Sequence, residues 1–188
     1  MRKLKLQVQM TVDGFISGLH GEMDWLCFSW SEDIKNYVRE ITNPVDTIIL
    51  GRKLAEGFIP HWEKVVQDPN DPEYEGGIKF TTTPKIVFTR TINESIWKNT
   101  KIANGELVDE INNLKNQEGE DIIAYGGGTF VSALLKNKLI DELHLFINPA
   151  AIGSGMPIFK ELMETQKFIT VNAIHFDCGI IVLVYKPL

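Results

Sequence analysis

Basic residues, cysteines and long apolar runs are all scarce in this chain. Nineteen lysines and arginines stand against 25 aspartates and glutamates, a formal net charge of -6 over 188 residues. General nucleic-acid binding needs a basic face, so that class is set aside; a local basic pocket for a phosphate is not. The two cysteines, Cys27 and Cys178, have no metal-ligand spacing and cannot build a disulfide framework. Both stand in apolar surroundings and are expected as buried free thiols. No apolar run nears the ~20 residues of a membrane helix. "MRKLKLQVQM" alternates like a strand and carries no signal-peptide core, so a cytoplasmic protein is expected. The four histidines, His20, His61, His144 and His175, are scattered without metal spacing, and no metal site is expected. A G-x-S-x-G elbow and a G-x-x-x-x-G-K-[ST] loop are both missing, which removes two common catalytic plans.

What remains is an ordinary globular composition, 44% hydrophobic and 23% charged, in a length that fits one domain over residues 1–188. "KLKLQVQMTV" alternates apolar and polar as a strand does, and Asp13–Gly14 ends it in a turn. "SEDIKNYVREI" opens on a serine that can cap, and Ile34, Tyr37, Val38 and Ile41 have helical spacing. "VDTIILG", "KIVFTR", "TKIANG" and "DIIAY" read as strands, and the continuously apolar ones as buried on both faces. "RKLAEGF", "ELVDEINNLKNQ" and "TFVSALLKNKL" read as helices. Between Pro60 and Pro84, prolines, acids and a glycine pair predict a surface excursion with one short helix. "IDELHLFINPAAIG" is a strand running into a loop, and the tail is two strands around "FDCG". The order implies an α/β, three-layer fold. A mainly parallel mixed sheet lies between helices, with an antiparallel C-terminal hairpin at one edge.

In such a sheet, ligands bind beyond the carboxyl ends of the strands. Arg52 and Arg90 follow two of those ends. Gly126, Gly127 and Gly128 follow a third and open a helix. Two guanidinium groups and one helix N-terminus make a phosphate cradle, with glycines where a side chain would block the backbone's approach. Surface arginines beside a plain tight turn would give the same pattern. The run is not a full dinucleotide fingerprint, because Val131 stands where the third glycine belongs. No acid follows "VFT" to hold a ribose hydroxyl; Arg90 stands there instead, which favours a 2′-phosphate and hence NADPH.

"MTVDGFISG", "GRKLAEGF", "VFTRT" and "AYGGGTFVSALLKNKLIDELHLFINPAAIGSGMPIF" resemble the dihydrofolate reductase-like superfamily over nearly the whole chain. They are most similar to the reductase domain at the C-terminus of the bifunctional riboflavin-biosynthesis deaminase/reductase, in stand-alone form. No P-C-x-x-C occurs, so the zinc deaminase half is not expected. The resemblance implies an NADPH-dependent reductase, commonly dimeric. On that pattern Gly51, Arg52 and Lys53 meet an adenosine-side phosphate. Thr89 and Arg90 flank the 2′-phosphate. Gly126, Gly127, Gly128 and Thr129 approach the pyrophosphate, with a Gly–Gly peptide in the cis form of dihydrofolate reductase. Val12, Asp13 and Gly14 border the nicotinamide and substrate. Pro149, Gly153 and Gly155 edge the substrate pocket. A first-helix carboxylate, Asp33 or Asp24, is the candidate proton donor beside water, although an acid at Asp33 also serves a helix dipole. Trp25 and Trp30 either stack on a planar substrate or fill the core. Three functions stay open: reduction of a planar heterocycle or ribosylated pyrimidine, dihydrofolate reduction, and nucleotide binding without turnover.

Overall fold

The strand at the middle of the sheet explains the layers. In Leu4–Thr11 (β1), Leu4, Leu6, Val8 and Met10 point to one face and Lys5, Gln7, Gln9 and Thr11 to the other. A computed structural model describes residues 1–27 and 29–188. The later elements are α1 Glu32–Thr42, β2 Val45–Gly51, α2 Arg52–Val65, α3 Tyr74–Thr82, β3 Lys85–Phe88 and β4 Thr100–Ala103. Then come α4 Leu107–Asn116, β5 Asp121–Tyr125, α5 Gly128–Lys136, β6 Glu142–Asn148, β7 Phe168–His175 and β8 Ile181–Pro187. Among the described residues eight strands lie in the order β4-β3-β2-β5-β1-β6-β8-β7. From β4 to β6 every pairing is parallel; β6–β8 and β8–β7 are antiparallel. The fold is the α/β, three-layer, mainly parallel arrangement with an antiparallel C-terminal edge that the sequence leads one to expect.

Three apolar clusters fix the helices. On the back face, Leu4, Leu6, Val8, Met10, Ile122 and Leu145 meet Ile111 and Leu114 of α4 and Val131 and Leu134 of α5. The front face holds two clusters. Ala55 and Ile59 of α2 and Phe80 of α3 cover Ile48, Leu50, Val87 and Tyr125. Ile34 and Ile41 of α1 cover Phe146, Val182 and Val184. Between those two clusters runs the polar face of β1.

Three local expectations need correction. The stretch after Pro60 is largely helical: α2 continues through Pro60 to Val65, and α3 follows. Proline in a helix interior costs ~3 kcal/mol, but Ile59, Phe58 and Trp62 are packed into the front cluster on either side of it, and packing rather than propensity decides. Ser31 stands at the N-cap of α1, yet its hydroxyl donates to Asp33 and accepts from the Cys178 amide at 3.2 Å. Cys27 and Cys178 are free and half-buried, not fully buried, with the Cys27 Sγ 3.7 Å from the Cys178 carbonyl.

His144 is buried, with Nδ1 2.7 Å from the Tyr37 hydroxyl and Nε2 2.8 Å from Glu142 Oε1. Burial holds its pKa below the usual imidazole value, against the pull of Glu142. The neutral ring accepts from Tyr37 and donates to Glu142. Below pH ~6.5 the unfolded chain binds a proton that the folded ring refuses, so stability falls as pH drops through that range. A urea-unfolding series from pH 7.5 to 5 is expected to show this limb in the parent protein and a flatter one in His144→Gln.

Candidate active site at the carboxyl ends of the strands

Read along the sheet order, the carboxyl ends form one stripe. Thr89 and Arg90 follow β3; Gly51, Arg52 and Lys53 close β2 and open α2; Gly126 to Thr129 join β5 to α5. Val12, Asp13 and Gly14 follow β1, and Pro149 to Gly155 follow β6. Four strand spacings separate β3 from β6, so the stripe is about 19 Å long. All the cofactor-side and loop residues expected from sequence fall on it. Two cavities, of about 540 and 300 Å³, lie at the opposite, amino-terminal edge beside Arg2, Asp46 and Pro84 and beside Trp62, Lys85 and Lys98.

Its middle is built of backbone. Gly126 and Gly127 have φ of +22° and +82°, which lets the chain turn sharply from β5 into α5. Leu54 of α2 lies 3.7 Å from where a Cβ would stand on either glycine. Among the described residues every peptide is trans, so the cis Gly–Gly bond implied by resemblance is absent. Neither α2, with N-cap Gly51, nor α5, with N-cap Gly127, has a side chain capping its first turn. The other described helices lack a side-chain cap too, but these two begin beyond adjacent strands, and a helix N-terminus whose first-turn N–H groups have no side-chain partner can receive an anion. Arg52 is paired with Glu56, and Arg90 with Glu106 at 2.8 Å. The Arg90 pair is exposed on both sides, so it is weak and open to exchange with a phosphate.

Toward β6 the stripe is two loops locked together. Val12 N–H donates to the Ala150 carbonyl at 2.9 Å, Ile16 N–H to Met156 at 3.0 Å and Met156 N–H to Ser17 at 2.9 Å. Gly155 is needed there, because a Cβ would stand 2.3 Å from the Ser17 carbonyl oxygen. Asp13 Oδ2 accepts from the amides of Ile152 at 3.1 Å and Gly153 at 2.7 Å. The Thr11 hydroxyl and these amides hold its carboxyl below the usual range.

The first-helix acids stand elsewhere. Asp24 is exposed in the loop before α1. Asp33 accepts from the Ser31 hydroxyl, from Ile34 N–H at 2.8 Å and from Asp177 N–H at 3.0 Å, which ties α1 to the β7–β8 turn. Those bonds, Ser31 first, lower its pKa. A carboxylate held ionised is a poor proton donor at neutral pH. Trp25 is half-buried and its Nε1 is sealed without a partner among the described residues, while Trp30 stacks at 6.2 Å on Phe146.

Sequence reasoning missed the polar floor beneath the stripe. Gln7 and Thr11 are buried on the front face of β1, and fully buried Asn148 donates to Gln9 Oε1 at 2.8 Å and accepts from Cys27 N–H at 3.1 Å. Polar residues alternating in a strand look like a solvent face; only the helices above them show otherwise.

The fold is that of dihydrofolate reductase-like α/β proteins. The family model described as RibD C-terminal domain matches residues 2–182, and the chain belongs to that family. It is 31% identical over 186 residues to "Uncharacterized protein YyaP" of Bacillus subtilis (strain 168), covering 98% of this chain and 94% of that one. A diaminohydroxyphosphoribosylaminopyrimidine deaminase/5-amino-6-(5-phosphoribosylamino)uracil reductase from Thermotoga maritima superposes with a TM-score of 0.71 at 18% identity, covering 100% of this chain and 57% of that one. The dihydrofolate reductase of Enterococcus faecalis complexed with NADP(H) superposes with a TM-score of 0.62 at 15% identity, covering 98% and 96%.

Two expectations follow. Gly127→Ala places a Cβ in the left-handed region and lowers unfolding free energy by about 1–2 kcal/mol in urea titrations. Asp13→Ala frees the 149–157 loop, read as faster hydrogen exchange at Ile152 and Gly153, with Asp13→Asn intermediate because its carbonyl still accepts.

Proposed function

We propose that this chain is an NADPH-dependent reductase of a small planar heterocycle or ribosylated pyrimidine, acting as a single domain over residues 1–188. The observation that carries this reading is the pair of uncapped helix N-termini on α2 and α5, side by side beyond β2 and β5 and flanked by Arg52 and Arg90. Family membership supports the reductase class. Bound NADPH would supply the hydride for a C=N or C=O carbon. The chain's own residues would do the rest. N–H groups of Gly128 and Thr129 would meet a pyrophosphate. Arg90, with Thr89 beside it, would exchange Glu106 for a 2′-phosphate. The Asp13 staple would hold the two loops that border the nicotinamide and substrate.

Water delivers the proton in this scheme, since Asp33 is committed to Ser31, Ile34 and Asp177. The folate reading asks for a free carboxylate at the start of α1, and those bonds weigh against it. No helix among the described residues is long and apolar enough to cross a membrane. The exposed edge strand β7, with Ile169 and Val171 half in solvent, supports a homodimer as part of the same reading.

Titration with NADPH and NADH, read by tryptophan-to-nicotinamide energy transfer, tests the cofactor. The parent protein is expected to prefer NADPH, and Arg90→Ala to weaken NADPH at least ten-fold while leaving NADH within two-fold. Equal weakening of both sinks the 2′-phosphate role. NADPH binding without consumption across pyrimidine and pterin acceptors turns the reading to a nucleotide-binding module without turnover.

A further inference from the structure

Gln7 is 7% exposed, and its Oε1 is sealed from solvent with no hydrogen-bond partner among the described residues. A buried amide oxygen without a partner is uncommon, because its desolvation is not offset. Across the sheet Gln7 faces Tyr125 on β5 and His144 on β6, and His144 is already bound to Tyr37 and Glu142. One step toward the carboxyl edge, ~7 Å along the strand, Gln9 Oε1 accepts from the Asn148 amide NH₂. The amide NH₂ is then the end of Gln9 left for another group. At its other end the seam is shut by Lys5, which reaches the Ile41 carbonyl at 3.2 Å and Asp121 at 2.9 Å. At the end nearer the stripe, Gln9 is partly exposed.

Charge narrows what fits. Lys5 is paired with Asp121, and Glu142 with His144 and Lys186. No unmatched charge remains on this floor to balance an ionic ligand, and burying one unbalanced is prohibitive. A side-chain amide offers both a donor and an acceptor, and its complement is another amide-type edge.

We propose that Gln7 and Gln9 read the substrate, selecting an uncharged planar heterocycle through a ring C=O beside an N–H. This rests on the reductase reading, whose substrate class it narrows. Gln7 stays unsatisfied in the free protein because its partner is the ligand.

The test uses lumazine, a pteridine dione with such edges, and 1,3-dimethyllumazine, whose edge N–H groups are methylated. Both are titrated by their fluorescence without cofactor. The parent protein is expected to bind lumazine at least ten-fold tighter than the dimethyl compound. Gln7→Met, similar in length and apolar, is expected to erase that preference while melting at or above the parent temperature, because no protein bond is lost. Gln9→Met, which removes one of the partners of Asn148, is expected to erase it too but to melt lower. Equal binding of the two compounds by the parent overturns the proposal. So does a Gln7→Met protein that keeps the preference. A parent that prefers lumazine but does not bind NADPH keeps the amide site and loses the reductase reading; NADPH binding without the preference does the reverse.

Discussion

Everything in this molecule is arranged around the burial of β1 on both faces. It has parallel partners on each side and helices above and below. Leu4, Leu6, Val8 and Met10 meet the back layer as any core strand would. The other face is polar and, apart from partly exposed Gln9, also buried, so the groups on it need answers from the surrounding elements. Lys5 is answered by Asp121 of β5 and the Ile41 carbonyl of α1. Gln9 is answered by Asn148 of β6, and the Thr11 hydroxyl by the Phe15 carbonyl at 3.3 Å. These bonds set where α1 ends, how the loop after β1 turns back, and which way Asn148 faces.

Because the floor between them is polar, the two front-face clusters do not merge. α2 and α3 pack over β2, β3 and β5, while α1 packs over β6 and β8. The polar face of β1 runs between them to the carboxyl edge, where backbone takes over from side chains. Left-handed glycines turn β5 into α5, and uncapped helix ends face outward. Further along, Asp13 holds the loop after β6 through two amides. A site of this kind is specified by strand order and helix starts, and both follow from apolar patterning.

That explains what the sequence disclosed. "VDTIILG" and "DIIAY" are continuous apolar runs because both their faces are covered, and their glycine or arginine exits stand at the carboxyl edge. Pro60 misled because its local cost is visible in sequence and the packing of Phe58 and Trp62 that overrides it is not. Asp33 was legible as an acid in a first turn; its partner Asp177 is 144 residues away and has no local signature. Gln7 and Gln9 were hidden for a related reason. Alternation reports which side chains share a face, not whether that face is wet.

The same distinction separates cofactor from substrate in the proposed enzyme. The cofactor side rests on backbone N–H groups, glycine turns and two exposed arginines, features that many sequences can supply on one fold. The substrate side rests on a few enclosed side chains whose identity decides what they accept. In this chain the side chains proposed for that role are amides on a floor whose charges are already matched. A change at Gln7 would therefore alter what is reduced without altering the sheet, the helix ends or the loop staple. On that proposal, specificity shifts at little structural cost, because no side-chain hydrogen bond of Gln7 holds the fold together among the described residues.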